Sequence, residues 1–247
     1  MSEHSGDATP PEEPEAGSPI GRRIVLAMAG LGAAGIVWGA KAQSGLERML
    51  RPITLRDPTG LSNFVPSAGR FRIYSVTGGL PHESAIAYRL RVHGLVDRPT
   101  TFTLDDLRRL PPTALAKDFQ CVTGWRVPDV HWKGVALSRL LDEVGAKPEG
   151  RFLTFYSFDG TYTESLTVEQ ARRPDVIAAY EMIGKTVTRE HGGPVRLYVA
   201  PMYGYKSLKW LQRIEVTDTL QAGFWEGQGY DVDGWVGRSN GRSDEPT

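Results

Sequence analysis

The sequence predicts an α+β, strand-dominated fold in a single domain of roughly 170–190 residues. Three observations lead there. The chain holds 28 glycines and 17 prolines in 247 residues, above the combined share of roughly 12% in ordinary globular proteins. From about Phe71 onward the apolar runs are short and end on turn residues, which argues for strands and against a helical bundle. Helical periodicity is confined to brief stretches with their own start and stop residues.

The segments before that domain read differently. Residues 1–20 hold Glu3, Asp7, Glu12, Glu13 and Glu15, four prolines and no Lys or Arg. They have too little apolar surface to offset ordering entropy, so a disordered acidic tail is expected. Arg22-Arg23 then opens a 17-residue uncharged run from Ile24 to Ala40. A twin arginine, a Gly/Ala-rich stretch and the small-x-small site Ala40-Lys41-Ala42 fit an export signal over 21–42. An uncleaved membrane anchor through 24–40 is the alternative, at the short end of a bilayer span. The run also contains Gly30-Leu31-Gly32-Ala33-Ala34-Gly35, a G-x-G-x-x-G match that follows a strand-like segment, with Asp57 downstream. That would suit an NAD-dependent dehydrogenase. Such a fold needs strands alternating with long amphipathic helices, and after residue 60 that alternation is missing. A linker over 43–65, the domain over 66–238 and a C-terminal tail over 239–247 complete the expected layout.

Within the domain, Tyr88-Arg89-Leu90-Arg91-Val92-His93 alternates apolar and polar residues and predicts a half-buried strand. Phe152 to Phe158 is aromatic and β-prone and stops at Asp159-Gly160. Val195–Val199 is another strand, halted by Pro201, and Ile214–Thr217 a late one. Thr103 with Asp106, and Thr167 with Gln170, form capping-box patterns that start short helices. Leu137, Leu140, Leu141 and Val144 share one helical face, with Gly145 placed to cap its end.

Composition narrows the function. With 29 basic and 29 acidic side chains the formal net charge is 0, so no nucleic-acid partner is indicated. One cysteine, Cys121, excludes an internal disulfide framework and a zinc site built of several thiolates. The sequence has no G-x-S-x-G elbow, no H-E-x-x-H, no P-loop and no EF-hand. Five histidines, His4, His82, His93, His131 and His191, lie scattered without ligand spacing.

Two segments remain. Cys121-Val122-Thr123-Gly124-Trp125 places the lone thiol in an unusual setting, with Asp118-Phe119-Gln120 before it and Trp132-Lys133-Gly134-Val135 after it. Taken alone, such a cysteine is a small buried hydrophobe. As a thiolate it is a soft ligand, sufficient for a metal only if an organic cofactor supplies the other donors. The second segment runs His191-Gly192-Gly193-Pro194-Val195-Arg196 and then Tyr203-Gly204-Tyr205-Lys206-Ser207-Leu208-Lys209-Trp210. It reads either as a Gly-rich hairpin with exposed cations or as an anion cradle, glycine admitting backbone N–H groups and cations supplying countercharge.

Taken in this order, the two segments resemble the sulfite-oxidase superfamily of molybdenum-cofactor enzymes, in particular the branch with the periplasmic methionine-sulfoxide-reductase catalytic subunit. The likeness runs from about Phe71 to Trp235. It implies a strand-rich sulfite-oxidase-type molybdopterin-binding fold, one molybdenum–molybdopterin per chain, and Cys121 as the protein's ligand to the metal. It further implies that His191 and Arg196 contact the pterin and its phosphate, that Gly204, Tyr205 and Lys206 form a backbone-and-lysine cradle, that Ser157 meets the cofactor, and that Phe71 and Arg72 lie near the pterin. Arg196 and Lys206 would neutralise the phosphate, and Trp125 and Tyr203 would wall the substrate pocket.

The implied activity is two-electron oxygen-atom transfer on a small oxidised, sulfur-containing molecule outside the cytoplasm. A separate electron-transfer partner, such as a membrane haem protein, would complete the reaction. A single arginine, Arg126, follows Cys121 where sulfite oxidases carry an adjacent pair, which points away from sulfite. A non-catalytic envelope binding module with the same fold is the competing expectation.

Overall fold

A computed structural model describes residues 71–245. The acidic tail, Arg22-Arg23, the apolar run 24–40, the Gly30–Gly35 motif with Asp57 and the linker lie outside the described residues. Among the described residues no helix is long and apolar enough to cross a membrane.

Among the described residues ten strands form two sheets. In the first, β1 (Arg89–Gly94), β2 (Thr100–Thr103), β5 (Phe152–Ser157), β6 (Thr163–Thr167) and β10 (Leu211–Thr217) take the order β2-β1-β10-β5-β6. The β1–β10 pair is parallel and the other three pairs are antiparallel. The second sheet places β4 (Arg126–Ala136) between β3 (Thr113–Gln120) and β7 (Val176–Met182). The other side of β7 pairs with β8 (Lys185–Thr186) and β9 (Arg196–Val199). The strand expected at Tyr88–His93 is β1, with Leu90 and Val92 buried and Arg89 and Arg91 exposed. Those expected at Phe152, Val195 and Ile214 are β5, β9 and β10.

Three short helices follow their sequence signals. Thr103 caps α1 (Leu104–Arg109) in a reciprocal pair with Asp106, and Thr167 does the same with Gln170 for α3 (Val168–Ala171). The α2 helix (Leu137–Val144) buries Leu137, Leu140, Leu141 and Val144 and ends on Gly145 in the left-handed conformation.

Strand periodicity divides the interior in two. Along β7, Val176, Ala178 and Tyr180 join the main core with the first sheet and α2, while Ile177 and Ala179 face a second cluster. Along β9, Leu197 and Val199 belong to the main core, and Tyr198 to the second cluster with Phe119, Trp125 and Trp132. Because alternate side chains leave opposite faces of a strand, Arg196 shares the face of Tyr198. Its guanidinium lies 5.4 Å from the ring centres of both Phe119 and Trp132.

From Ser239 onward the chain remains bonded to the rest of the domain. Ser239 is buried and donates to the carbonyl of Asp233, the Asp231 N–H donates to Asn240 Oδ1 at 2.9 Å, and Tyr203 donates to Asp244 Oδ2 at 2.9 Å. These local polar bonds, which composition does not reveal, tie residues 239–245 to the domain although Gly241, Ser243 and Glu245 are exposed.

Candidate active site

The strands β3 and β4 are joined by the five residues Cys121–Trp125. The Cys121 N–H donates to the carbonyl of Trp125 at 2.9 Å and the Gly124 N–H to that of Cys121 at 3.0 Å, with Gly124 at φ 99°. This closes a tight hairpin of the kind that recruits glycine at its left-handed position. The loop holds the half-buried Cys121 at the rim of a cavity of about 500 Å³, within the usual range for small-molecule sites. Thr123 Oγ1 lies 3.2 Å from Cys121 Sγ.

The cavity has a cationic side. His191 lies midway along the loop before β9, Arg196 opens that strand, and Lys209 follows the 3-10 turn Gly204–Lys206; all three line the space. Arg196 donates to the carbonyls of His191 (2.8 Å), Ser207 (2.8 Å) and Leu197 (3.3 Å). It thereby binds the two loops together and keeps two of its five N–H donors for other partners. Lys209 donates to the carbonyl of Tyr74 and packs its ammonium 4.3 Å from the Trp210 ring centre. The Gly192 backbone sits at φ 97°, and a Cβ there would approach Lys209 Cβ to 2.6 Å. Only glycine combines that backbone conformation with so close an approach.

Among the described residues neither Arg196, Lys209 nor His191 forms an ion pair with a carboxylate. Burial lowers Arg196 to about 10, which leaves it charged at neutral pH. Burial, reinforced by Arg196, lowers Lys209 to about 8 against the upward pull of Asp159. Burial and then the charges of Arg196 and Lys209 lower His191, with Glu190 opposing. A buried guanidinium and a half-buried ammonium without counterions are costly, and an anion in the cavity would relieve Arg196 and Lys209 and draw a proton to the half-buried His191.

The remaining walls are largely aromatic. Phe71 packs edge-on to His191, with ring centres 4.8 Å apart, and lies 5.3 Å from Phe119; Phe119 in turn stacks on Trp125 at 5.8 Å. Phe224, Trp225 and Tyr230 line it as well, with Trp225 in ring contact with both others. The Trp125 Nε1 is buried without a hydrogen-bond partner among the described residues, an unused donor on the cavity wall.

Of the residues singled out from sequence, Phe71, Arg72, Cys121, Trp125, His191, Arg196, Gly204 and Tyr205 meet at this cavity. Three do not. Ser157 is buried at the end of β5, where its Oγ accepts from the Asp159 N–H at 3.1 Å and closes the Asp159-Gly160 turn; Asp159 itself reaches the cavity. Tyr203 is fully buried in a separate cluster with Tyr205 and Val236. Lys206 is fully buried away from the cavity, its ammonium held by Glu164, Glu226 and a backbone carbonyl, so its side chain is not available as the expected phosphate countercharge. Lys209, three residues on, is the lysine at the cavity, and Ser207 lines it as well. The missed signal was spacing: the 3-10 turn at 204–206 rotates successive side chains in ways a linear motif does not show.

These residues fit an anionic organic cofactor carrying a metal. Among the described residues no three His, Cys, Asp or Glu side chains gather as metal ligands, so a metal at Cys121 would take its other donors from a chelate. The soft sulfur, the unused indole N–H and the unpaired cations on one cavity match such a group.

Comparison with known proteins agrees. Residues 77–225 match the family described as the oxidoreductase molybdopterin binding domain. The chain is 33% identical over 159 residues to the uncharacterized oxidoreductase YuiH of Bacillus subtilis, covering 64% of this chain and 80% of that one. It is 31% identical over 190 residues to the putative protein-methionine-sulfoxide reductase subunit YedZ1 of Azospira oryzae, covering 75% and 71%. Among solved structures it is similar to the sulfane dehydrogenase SoxCD from Paracoccus pantotrophus, with a TM-score of 0.53 and 30% identity over 57% of this chain and 41% of that one.

Proposed function

Because the chain belongs to the oxidoreductase molybdopterin-binding family, we propose that this molybdenum-dependent enzyme performs two-electron oxygen-atom transfer on a small sulfur-containing substrate such as a sulfoxide. The observation that carries the reading is the convergence of Cys121 with Arg196, His191 and Lys209 on one aromatic-walled cavity. When bound, a molybdenum–molybdopterin group supplies the redox chemistry, and the protein supplies position and electrostatics.

Each residue then has a role set by its chemistry. Cys121, as a thiolate, is the protein's donor to the metal. The Arg196 guanidinium orients the two loops and directs its remaining donors to the phosphate, and Lys209 adds a second charge-assisted hydrogen bond. His191 would contact the pterin as a neutral imidazole, burial and the neighbouring Arg196 and Lys209 having lowered its affinity for a second proton. Trp125 donates its indole N–H, and Phe71, Phe224 and Trp225 exclude water from the reacting centre. One pterin per chain suits one cavity of this size. The methionine-sulfoxide-reductase name of the Azospira relative supports a sulfoxide substrate, and Arg126 standing alone after Cys121 supports a substrate other than sulfite. A separate haem-bearing partner at the membrane and a location outside the cytoplasm, reached through Arg22-Arg23, complete the proposal.

The test is metal and pterin analysis of the full chain purified from a cofactor-competent host, beside Cys121→Ser. About one molybdenum per chain is expected for the wild type. Loss of turnover with an unchanged melting temperature is expected for the variant, because oxygen is a harder donor than thiolate. Molybdenum far below stoichiometry, or full activity in the variant, would defeat the proposal.

A further inference from the structure

Lys206 belongs to a buried acid–base cluster that the proposed chemistry does not use. Its Nζ donates to Glu164 Oε1 at 2.5 Å, Glu226 Oε1 at 2.6 Å and the Val232 carbonyl at 2.8 Å, which occupies all three ammonium donors. The side chains of Lys206, Glu164 and Glu226 are 0%, 1% and 2% exposed. Two carboxylates against one ammonium would leave net negative charge in a low-dielectric interior, which is strongly disfavoured. The second oxygens, Glu164 Oε2 and Glu226 Oε2, are buried and meet no donor among the described residues, while the first oxygen of each carboxyl group accepts from the same ammonium. A single proton between them removes the excess charge and satisfies both oxygens at once.

The cluster also joins separate parts of the chain. Glu164 lies on β6, Lys206 on the 3-10 turn at Gly204, Glu226 on a second 3-10 turn, Glu226–Gln228, and the Val232 carbonyl further along the same segment. The segment between Gly223 and Gly234 carries Phe224, Trp225 and Tyr230 to the cavity. Gly234 lies against the stem of Lys206, where a Cβ would come within 2.6 Å of Cγ.

We propose that Glu164 and Glu226 share one proton at neutral pH and, with Lys206, form a neutral latch that positions the aromatic wall Phe224, Trp225 and Tyr230. The geometry of the latch is independent of any metal; only the statement that this wall encloses the cofactor rests on the function proposed above.

The sign of the pH dependence follows. Burial raises Glu164 well above the ordinary carboxylate range, Lys206 opposes this, and Glu226 adds to it. The other titratable groups facing the cluster are the phenols of Tyr162 and Tyr205, both raised first by burial and then by Glu164 and Glu226. Arg196 lies beyond Tyr162 and Asp231 beyond Tyr205. The phenols therefore stay neutral through the relevant range. The closed segment holds a proton that the opened one releases, so the latch is fully closed below an ordinary glutamate's value. It weakens as pH rises from there toward the raised value of Glu164.

The experiment is amide hydrogen exchange of residues 223–234 in the full-length, cofactor-loaded protein between about pH 6 and about pH 9, corrected for intrinsic exchange. The wild-type opening equilibrium is expected to rise about tenfold per pH unit until Glu164 ionises. Glu164→Gln, whose amide reproduces the protonated acid, is expected to keep the protection and abolish the slope. A flat wild-type profile, or an equal slope in Glu164→Gln, overturns the latch. Should that variant not fold, the wild-type profile decides together with infrared spectroscopy at neutral pH: a protonated-carboxyl carbonyl stretch supports the shared proton and its absence overturns it. Molybdenum and pterin measured on the same samples keep the two proposals apart. A sloped profile in protein that never binds cofactor sinks the function, and a flat profile in loaded protein sinks the latch.

Discussion

Lys206→Met and Lys209→Met differ by three positions in the chain and by opposite consequences. Methionine keeps the length and apolar stem of lysine and removes the charge. At position 206 it strips the paired cation from Glu164 and Glu226, in a cluster whose side chains are at most 2% exposed. Removing one partner of a buried ion pair costs about 3–5 kcal/mol. In a domain of this size each kcal/mol lowers the melting temperature by roughly 2–4 °C, so a fall of about 6–20 °C is expected. At position 209 the ammonium donates only to the carbonyls of Tyr74 and Glu190, and burial already disfavours its charge. Its loss should change stability by less than about 1 kcal/mol. A charge-assisted hydrogen bond to a phosphate contributes roughly 1.5–3 kcal/mol, so cofactor affinity should fall about 10–100-fold. Thermal unfolding of the cofactor-free proteins reads the first effect, and pterin retention after dialysis reads the second. A stable Lys206→Met that loses cofactor, beside a Lys209→Met that keeps it, would refute this assignment and return the phosphate to Lys206.

Two further outcomes follow from the cavity. Lys209 at about 8 is charged below that pH and neutral above it, so binding of inorganic phosphate to cofactor-free protein should weaken as pH rises through about 8. Calorimetric titration across that range checks this, and affinity that stays constant or rises would count against the anion site. Gly192→Ala places a Cβ at φ 97° and against Lys209 Cβ. It should destabilise by about 1–3 kcal/mol and displace Lys209, seen as a lower melting temperature and reduced cofactor content.

Much of this architecture is legible in the chain. The two capping boxes and the apolar face of α2 mark their helices because capping and burial act within a few residues. Strand β1 is legible because one face is buried and the other wet. Its buried counterpart β7 is not, because Val176–Ala179 are buried on both faces and leave no alternation to detect. Long β3 and β4 escape as well: Lys117, Asp118 and Pro128 interrupt the pattern, while pairing with each other and with β7 holds them in place.

By itself the sequence determined the chemistry on offer: one soft thiol beside a tryptophan, a glycine-bearing loop before Arg196, and clustered aromatics. Those are properties of residue types and short spacings. Which lysine faces the cavity and which is buried between two glutamates was decided only by tertiary structure. A 3-10 turn sets the direction of each side chain, and the carboxylates that capture Lys206 come from 42 residues before it and 20 residues after it. Charge pairing in a low-dielectric interior depends on distance in space, and separation along the chain carries no record of that distance.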